Sequence, residues 1–173
     1  MLETKSEDTN TGSTTTYMVG ENAFSPDEVD RLVAYGDSLA LQKAVLVGDT
    51  WKQEDADQVR ITRNAWLAPN QETEWVYERM QALMQGANEH FHNFELTGFS
   101  DDFQYTVYHS SEGGYYDWHM DLSTQQKLPR KLSMSIQLSD PDDYEGCELQ
   151  FYGHHQLETA PRTRGTAVIF PSY

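Results

Sequence analysis

Apolar residues follow two rhythms along this chain. From Val29 to Ala40 and again from Trp75 to Phe91 they recur every three or four positions, and beyond Phe94 they fall in short strand-like runs. The first rhythm opens at Ser25-Pro26-Asp27-Glu28. Ser25 can cap a helix, Pro26 suits the first helical position, and Glu28 completes a capping box. Val29, Leu32, Val33, Gly36 and Ala40 follow at helical spacing and predict a helix over about 26–40. A second stripe (Trp75, Val76, Met80, Leu83, Met84, Ala87 and Phe91) predicts a helix over about 71–92, with Asn70 placed to cap it. His90 and His92 close that helix, where cations complement the dipole, and they read as solvated residues rather than metal ligands. Short strands are expected at 17–19, 44–47 and 60–67, with a polar loop over 48–58.

The second rhythm predicts strands over 103–109, 115–122, 131–138, 148–152 and 166–170. Turn signals at 110–114 and at Asp140-Pro141-Asp142-Asp143 separate them, and a polar loop containing Pro161 divides the last two. The run 131–138 alternates: Leu132, Met134, Ile136 and Leu138 share one face, and Lys131, Ser133, Ser135 and Gln137 the other. Strands broken by turns every ten to fifteen residues or so predict a β-sandwich, jelly roll or barrel. The fold class is therefore mainly β with N-terminal helices (α+β).

Composition narrows this picture. The 173 residues suit one domain, expected over 17–173. Residues 1–16, rich in Thr, Ser, Asp and Glu, are expected to form a disordered arm. A net charge of −16 argues against nucleic acid and against anionic membrane surfaces as partners. Cys147 is the single cysteine, so neither an internal disulfide nor a cysteine zinc site is available. It reads as a small packing residue rather than a nucleophile. The N-terminus lacks the apolar core of a signal peptide, and no apolar run approaches ~20 residues, so the default expectation is a cytoplasmic protein.

Candidate chemistry gathers in Tyr115-Tyr116-Asp117-Trp118-His119-Met120-Asp121. On a strand, His119 and Asp121 would point to one face, roughly 6–7 Å apart along the backbone. An imidazole and a carboxylate so placed are two members of the 2-His-1-carboxylate triad that binds non-haem Fe(II) and leaves positions open. Spacing alone favours a partly buried histidine beside a surface aspartate over metal binding, because such short triplets recur by chance.

The flanking blocks go further. Gln104-Tyr-Thr-Val-Tyr108, the run Glu112 to Asp121, Arg130-Lys-Leu-Ser-Met-Ser-Ile-Gln-Leu-Ser-Asp-Pro, Tyr144-Glu-Gly-Cys-Glu-Leu-Gln150 and Gly165-Thr-Ala-Val-Ile-Phe-Pro-Ser-Tyr173 occur in order. This series resembles the iron- and 2-oxoglutarate-dependent oxygenases of the prolyl 4-hydroxylase superfamily, in particular its small phage and bacterial members. The resemblance implies a double-stranded β-helix (jelly roll) with two packed helices. It implies His119 and Asp121 as Fe(2+) ligands, and 2-oxoglutarate and O2 as cosubstrates, with ascorbate as a further possible cofactor. Tyr108 and Gln137 would contact 2-oxoglutarate, and Tyr116 would line the substrate site. Strand parity places Tyr116 opposite His119, so a bend or bulge is required there, and Gly113-Gly114 permit one. Arg130 reads as a solvated strand-end cation.

The implied reaction is hydroxylation of a C–H bond, foremost that of a prolyl residue in a peptide or protein, with a free amino acid or another small substrate as the alternative. A catalytically degenerate jelly-roll interaction or structural module is the alternative. The resemblance also places a second iron-binding histidine, a basic anchor for 2-oxoglutarate and the last strand or strands past Tyr173, so the chain is expected to be C-terminally incomplete. His154 and His155 read as solvated loop residues rather than substitute ligands, and His109 as a neighbour of the site.

Overall fold

The computed structural model describes residues 2–3, 16–44, 59–122, 129–153 and 156–173. The expected loop at 48–58, His154 and His155, and most of the predicted arm lie outside the described residues. Of that arm, Leu2–Glu3 (β1) pairs with Met18–Gly20 (β2), and Thr16 Oγ1 donates to Glu158 Oε1 at 2.9 Å.

The first helix, α1, spans Pro26–Ser38 and begins as its sequence dictates. The Glu28 amide donates to Ser25 Oγ at 3.3 Å, and the Ser25 amide donates back to Glu28 Oε2 at 2.8 Å. Two of the amides that a helix start leaves without intrahelical partners are thereby satisfied. The second helix, α2, spans Glu74–Phe91 and is shorter than its apolar stripe predicts. Asn70 does not cap it directly. Its side chain accepts from the amides of Glu72 (2.7 Å) and Thr73 (3.2 Å), which tightens the turn leading into the helix.

Among the described residues the strands all pair antiparallel. Gln42–Lys43 (β3), Arg63–Leu67 (β5) and Phe103–Val107 (β6) form a sheet in the order β3-β5-β6. The strand expected over 60–67 is divided at Thr62, and its first part, Arg60–Ile61 (β4), pairs instead with Tyr115–Tyr116 (β7). A larger sheet runs β1-β2-β11-β8, with β8 at Leu132–Ile136 and β11 at Ala167–Pro171. Gln150–Gly153 (β9) and Gln156–Thr159 (β10) pair together. β10 falls in what the sequence reads as loop. Its Gln-Leu-Glu-Thr carries one apolar residue and is largely exposed, so burial leaves no pattern to read.

Period two decides what each face of β11 meets. Ala167 and Ile169, both fully buried, turn toward the helices, where Ile169 packs with Met18 and Ala87. Val168 and Phe170 turn the other way, toward Tyr17, Leu149 and Phe151. The larger sheet is therefore a middle layer between the helices and the β9–β10 hairpin. The ladder aligns Ser135 with Val168 and Ser133 with Phe170. The polar face of β8 thus turns inward, away from the helices, and Gln137 continues the same parity. On an isolated sheet these residues would meet bulk water. Here they line a cleft between the sheets.

Candidate metal centre

The ligand stretch is not the strand that spacing predicts. Pairing ends at Tyr116, and the chain bends at Trp118. Local hydrogen bonds account for the departure. The Trp118 amide donates to Asp117 Oδ1 at 2.8 Å, and His119 Nδ1 meets the Asp117 carbonyl at 2.8 Å. The Asp117 amide remains tied to Val59 O at 2.8 Å. Asp117 therefore anchors the turn at both its amide and its carbonyl. The approach to it depends on two glycines. Gly113 adopts φ +64°, which L side chains disfavour, and a Cβ on Gly114 would lie 3.0 Å from the backbone of Tyr108 and His109.

The bend brings the predicted pair together. His119 Nε2 lies 3.1 Å from Asp121 Oδ1. A carbonyl accepts only a proton, so Nδ1 carries one and Nε2 is the atom left to bind a metal when the ring is neutral. The Asp121 hydrogen bond raises the His119 pKa above its ordinary value; burial opposes this without overcoming it. Burial likewise works to raise the Asp121 pKa, but hydrogen bonds from His119 and Ser133, helped by the Arg130 charge, hold it below the ordinary value.

Ser133 is a contact that the sequence did not announce. It is buried, and its hydroxyl meets that of Ser172 at 2.9 Å. Since an ionised carboxylate can only accept, Ser133 donates to Asp121, and Ser172 in turn donates to Ser133. Arg130 also differs from its expected role. It forms an ion pair with Asp101 at 2.7 Å and its field reaches Asp121, so it belongs to the rim of the site.

The other expected residues line the same cleft. Tyr116 stacks on His119 with ring centroids 3.7 Å apart at 14°, so the required bend is present. Tyr108 is 41% exposed to water yet enclosed by the concave wall, and desolvation raises its hydroxyl pKa. Gln137 bonds through its backbone to Thr166 O and Gly165 N, leaving its side chain on the cleft side of β8. His109 follows Tyr108 in the chain, and its carbonyl accepts from the amides of Glu112 and Gly114 in the 110–114 turn. Cys147 is exposed with φ +54°, and desolvation keeps its thiol pKa up, which does not favour a nucleophilic thiolate. His92 is not a solvated cation. Its ring stacks on Phe94 at 5.0 Å, its Nε2 is buried without a partner among the described residues, and desolvation lowers its pKa.

One imidazole and one carboxylate on a fixed bend are the donor types that Fe(II) takes. Among the described residues no third His, Cys, Asp or Glu joins them as a cluster. Residues 103–173 match the family model of the 2OG-Fe(II) oxygenase superfamily. Over those residues the chain is similar to that superfamily. Members of that superfamily are oxygenases that use Fe(2+), 2-oxoglutarate and O2. The chain is also similar to the crystal structure of a Pseudomonas putida prolyl-4-hydroxylase, with a TM-score of 0.71 and 18% sequence identity, over 91% of this chain and 81% of that one. The likeness establishes the jelly-roll fold with its two packed helices. No curated protein matches the chain. Among the described residues no helix is long and apolar enough to cross a membrane.

Proposed function

We propose that the cleft hydroxylates a C–H bond, foremost that of a prolyl residue in a peptide or protein. The observation that carries this reading is the convergence of His119 Nε2 and Asp121 Oδ1 at 3.1 Å inside the segment that matches the oxygenase family. His119 and Asp121 would hold Fe(2+), which together with 2-oxoglutarate and O2 supplies the oxidation of an unactivated C–H bond. The chain's own residues do the rest. Asp117 holds the His119 tautomer, Ser133 orients the Asp121 carboxylate, and Tyr108 and Gln137 are the groups proposed to receive 2-oxoglutarate. Tyr116 is proposed to border the substrate, beside the His119 ring on which it stacks. The P. putida likeness supports a peptide or protein substrate over a free amino acid. Ascorbate would serve as an added reductant.

The test incubates the protein with Fe(II), 2-oxoglutarate, O2 and a proline-rich peptide, and follows succinate together with the peptide mass. Succinate formed in step with a gain of one oxygen on proline is the expected result. Succinate without peptide oxidation overturns the prolyl assignment. A wild-type protein that forms no succinate, while binding neither iron nor 2-oxoglutarate, favours the non-catalytic module.

A further inference from the structure

Arg60 and Tyr116 are partners across the β4–β7 ladder. The Arg60 guanidinium carbon lies 4.5 Å from the centroid of the Tyr116 ring, which in turn stacks on His119 at 3.7 Å. Rings that close leave no room for a guanidinium between them, so Arg60 takes the other face of Tyr116. The three groups form a column: cation, phenol, imidazole.

The column is fixed at its outer end. Arg60 Nε donates to Thr62 Oγ1 at 2.9 Å, and Nη2 donates to Gln104 Oε1 at 2.7 Å. Gln104 belongs to β6, so the guanidinium is tied to the β3-β5-β6 sheet. Arg63, Arg79, Arg130, Arg162 and Arg164 each reach a carboxylate, whereas among the described residues Arg60 donates to neutral oxygens. Strand β4 is thereby joined to the His119 imidazole by two routes. One passes through the faces of Arg60 and Tyr116, and the other through the backbone of Val59 and Asp117.

We propose that Arg60 is a positioning residue for His119, acting through Tyr116. The Asp117 carbonyl fixes one ring atom of His119 but leaves the ring free to rotate about that hydrogen bond. A flat surface held against the imidazole removes that rotation, and only then does Nε2 stay aimed at the Asp121 oxygen. A cation on the far face holds the electron-rich phenol in place. The inference rests on the reading of His119 as an iron ligand, and outer contacts of this kind typically change metal affinity by about 10–100-fold.

The experiment compares wild type with Arg60→Met, Tyr116→Ala, Tyr116→Phe and the Arg60→Met/Tyr116→Ala double variant, using thermal melting to confirm folding. Proton NMR of the His119 ring reports the stack without metal, and Mn(II) titration reports affinity. The wild-type ring protons should be shifted upfield by the Tyr116 ring current. That shift should vanish in Tyr116→Ala, shrink in Arg60→Met and persist in Tyr116→Phe. Arg60→Met and Tyr116→Ala should each weaken Mn(II) binding about ten-fold, and the double variant should be no weaker than the worse single one, since residues acting as a unit are non-additive. An Arg60→Met protein that keeps both shift and affinity, or strictly additive losses, overturns the proposal. A wild type that takes up no Mn(II) defeats the iron reading instead, and the NMR arm still decides whether the column exists.

Discussion

His119 Nε2 and Asp121 Oδ1 stand 3.1 Å apart although no strand carries the two residues. Side chains two apart on a strand run side by side, at roughly the 6–7 Å repeat of the backbone. The bend at Trp118 turns them toward each other, and hydrogen bonds to Asp117 and Ser133 hold the arrangement. The proposed metal pair is thus a property of a short irregular segment supported by β4 and β8.

Ser133 should matter to metal binding more than to folding. Ser133→Ala removes the donor to Asp121 and leaves Ser172 without its partner. The expected cost is about 1 kcal/mol of stability and a roughly ten-fold loss of Mn(II) affinity. Chemical denaturation and metal titration measure the two separately. Unchanged affinity would remove Ser133 from the site.

Gly114 should tolerate no side chain. A Cβ there meets the Tyr108 and His109 backbone at 3.0 Å, and backbone cannot swing aside as a side-chain end can. Gly114→Val is expected to displace the turn and cost about 1–3 kcal/mol, with metal binding weakened in parallel. A variant as stable as wild type that binds Mn(II) equally would show the approach to be looser than described.

The middle layer gives a third expectation. Ile169 is fully buried between Met18 and Ala87, so Ile169→Ala should cost about 2–5 kcal/mol. Tyr152, on the exposed side of the β9–β10 hairpin at 68% accessibility, should cost within about 0.5 kcal/mol when replaced by Ser. Denaturant midpoints that failed to separate the two would contradict the layer order.

The α1 cap predicts a pH dependence. Hydrogen bonds from the Ser25 amide and hydroxyl and the nearby Arg79 lower the Glu28 pKa from its ordinary 4.5, with burial opposing. Its folded value is below its unfolded value, so its contribution is complete above about pH 4.5 and fades as pH falls through the lowered folded value. Exposure keeps the effect small. The difference in melting temperature between wild type and Glu28→Gln should be present at neutral pH and shrink in acid. A difference that grew as the pH fell would reverse the sign assigned here.

Much of this was legible in the chain because it was local or periodic. The Ser25–Glu28 box, the α1 and α2 stripes and the alternation of β8 all follow from neighbours three, four or two residues away. The same alternation did not say which way Ser133 and Gln137 face, because the polar lining of a cleft and a solvated sheet face read alike. Their direction came from the register against Val168 and Phe170. The bend at Trp118 was implied only by the parity of Tyr116 and His119. The contact between Arg60 and Tyr116 crosses more than fifty positions, and nothing in either local stretch announces it. The exposed β10 strand left no burial pattern, and the stacking of His92 on Phe94 needed the fold of the helix end to appear.

The central claim is that His119 and Asp121 bind the metal. Its most direct measurement is Mn(II) uptake, followed by loss of the free-ion electron paramagnetic resonance signal in the presence of 2-oxoglutarate, for wild type, His119→Ala and Asp121→Asn. One bound equivalent in the wild type, with at least a ten-fold weaker association in each variant, is the predicted result. Variants that take up Mn(II) as tightly as the wild type would contradict it.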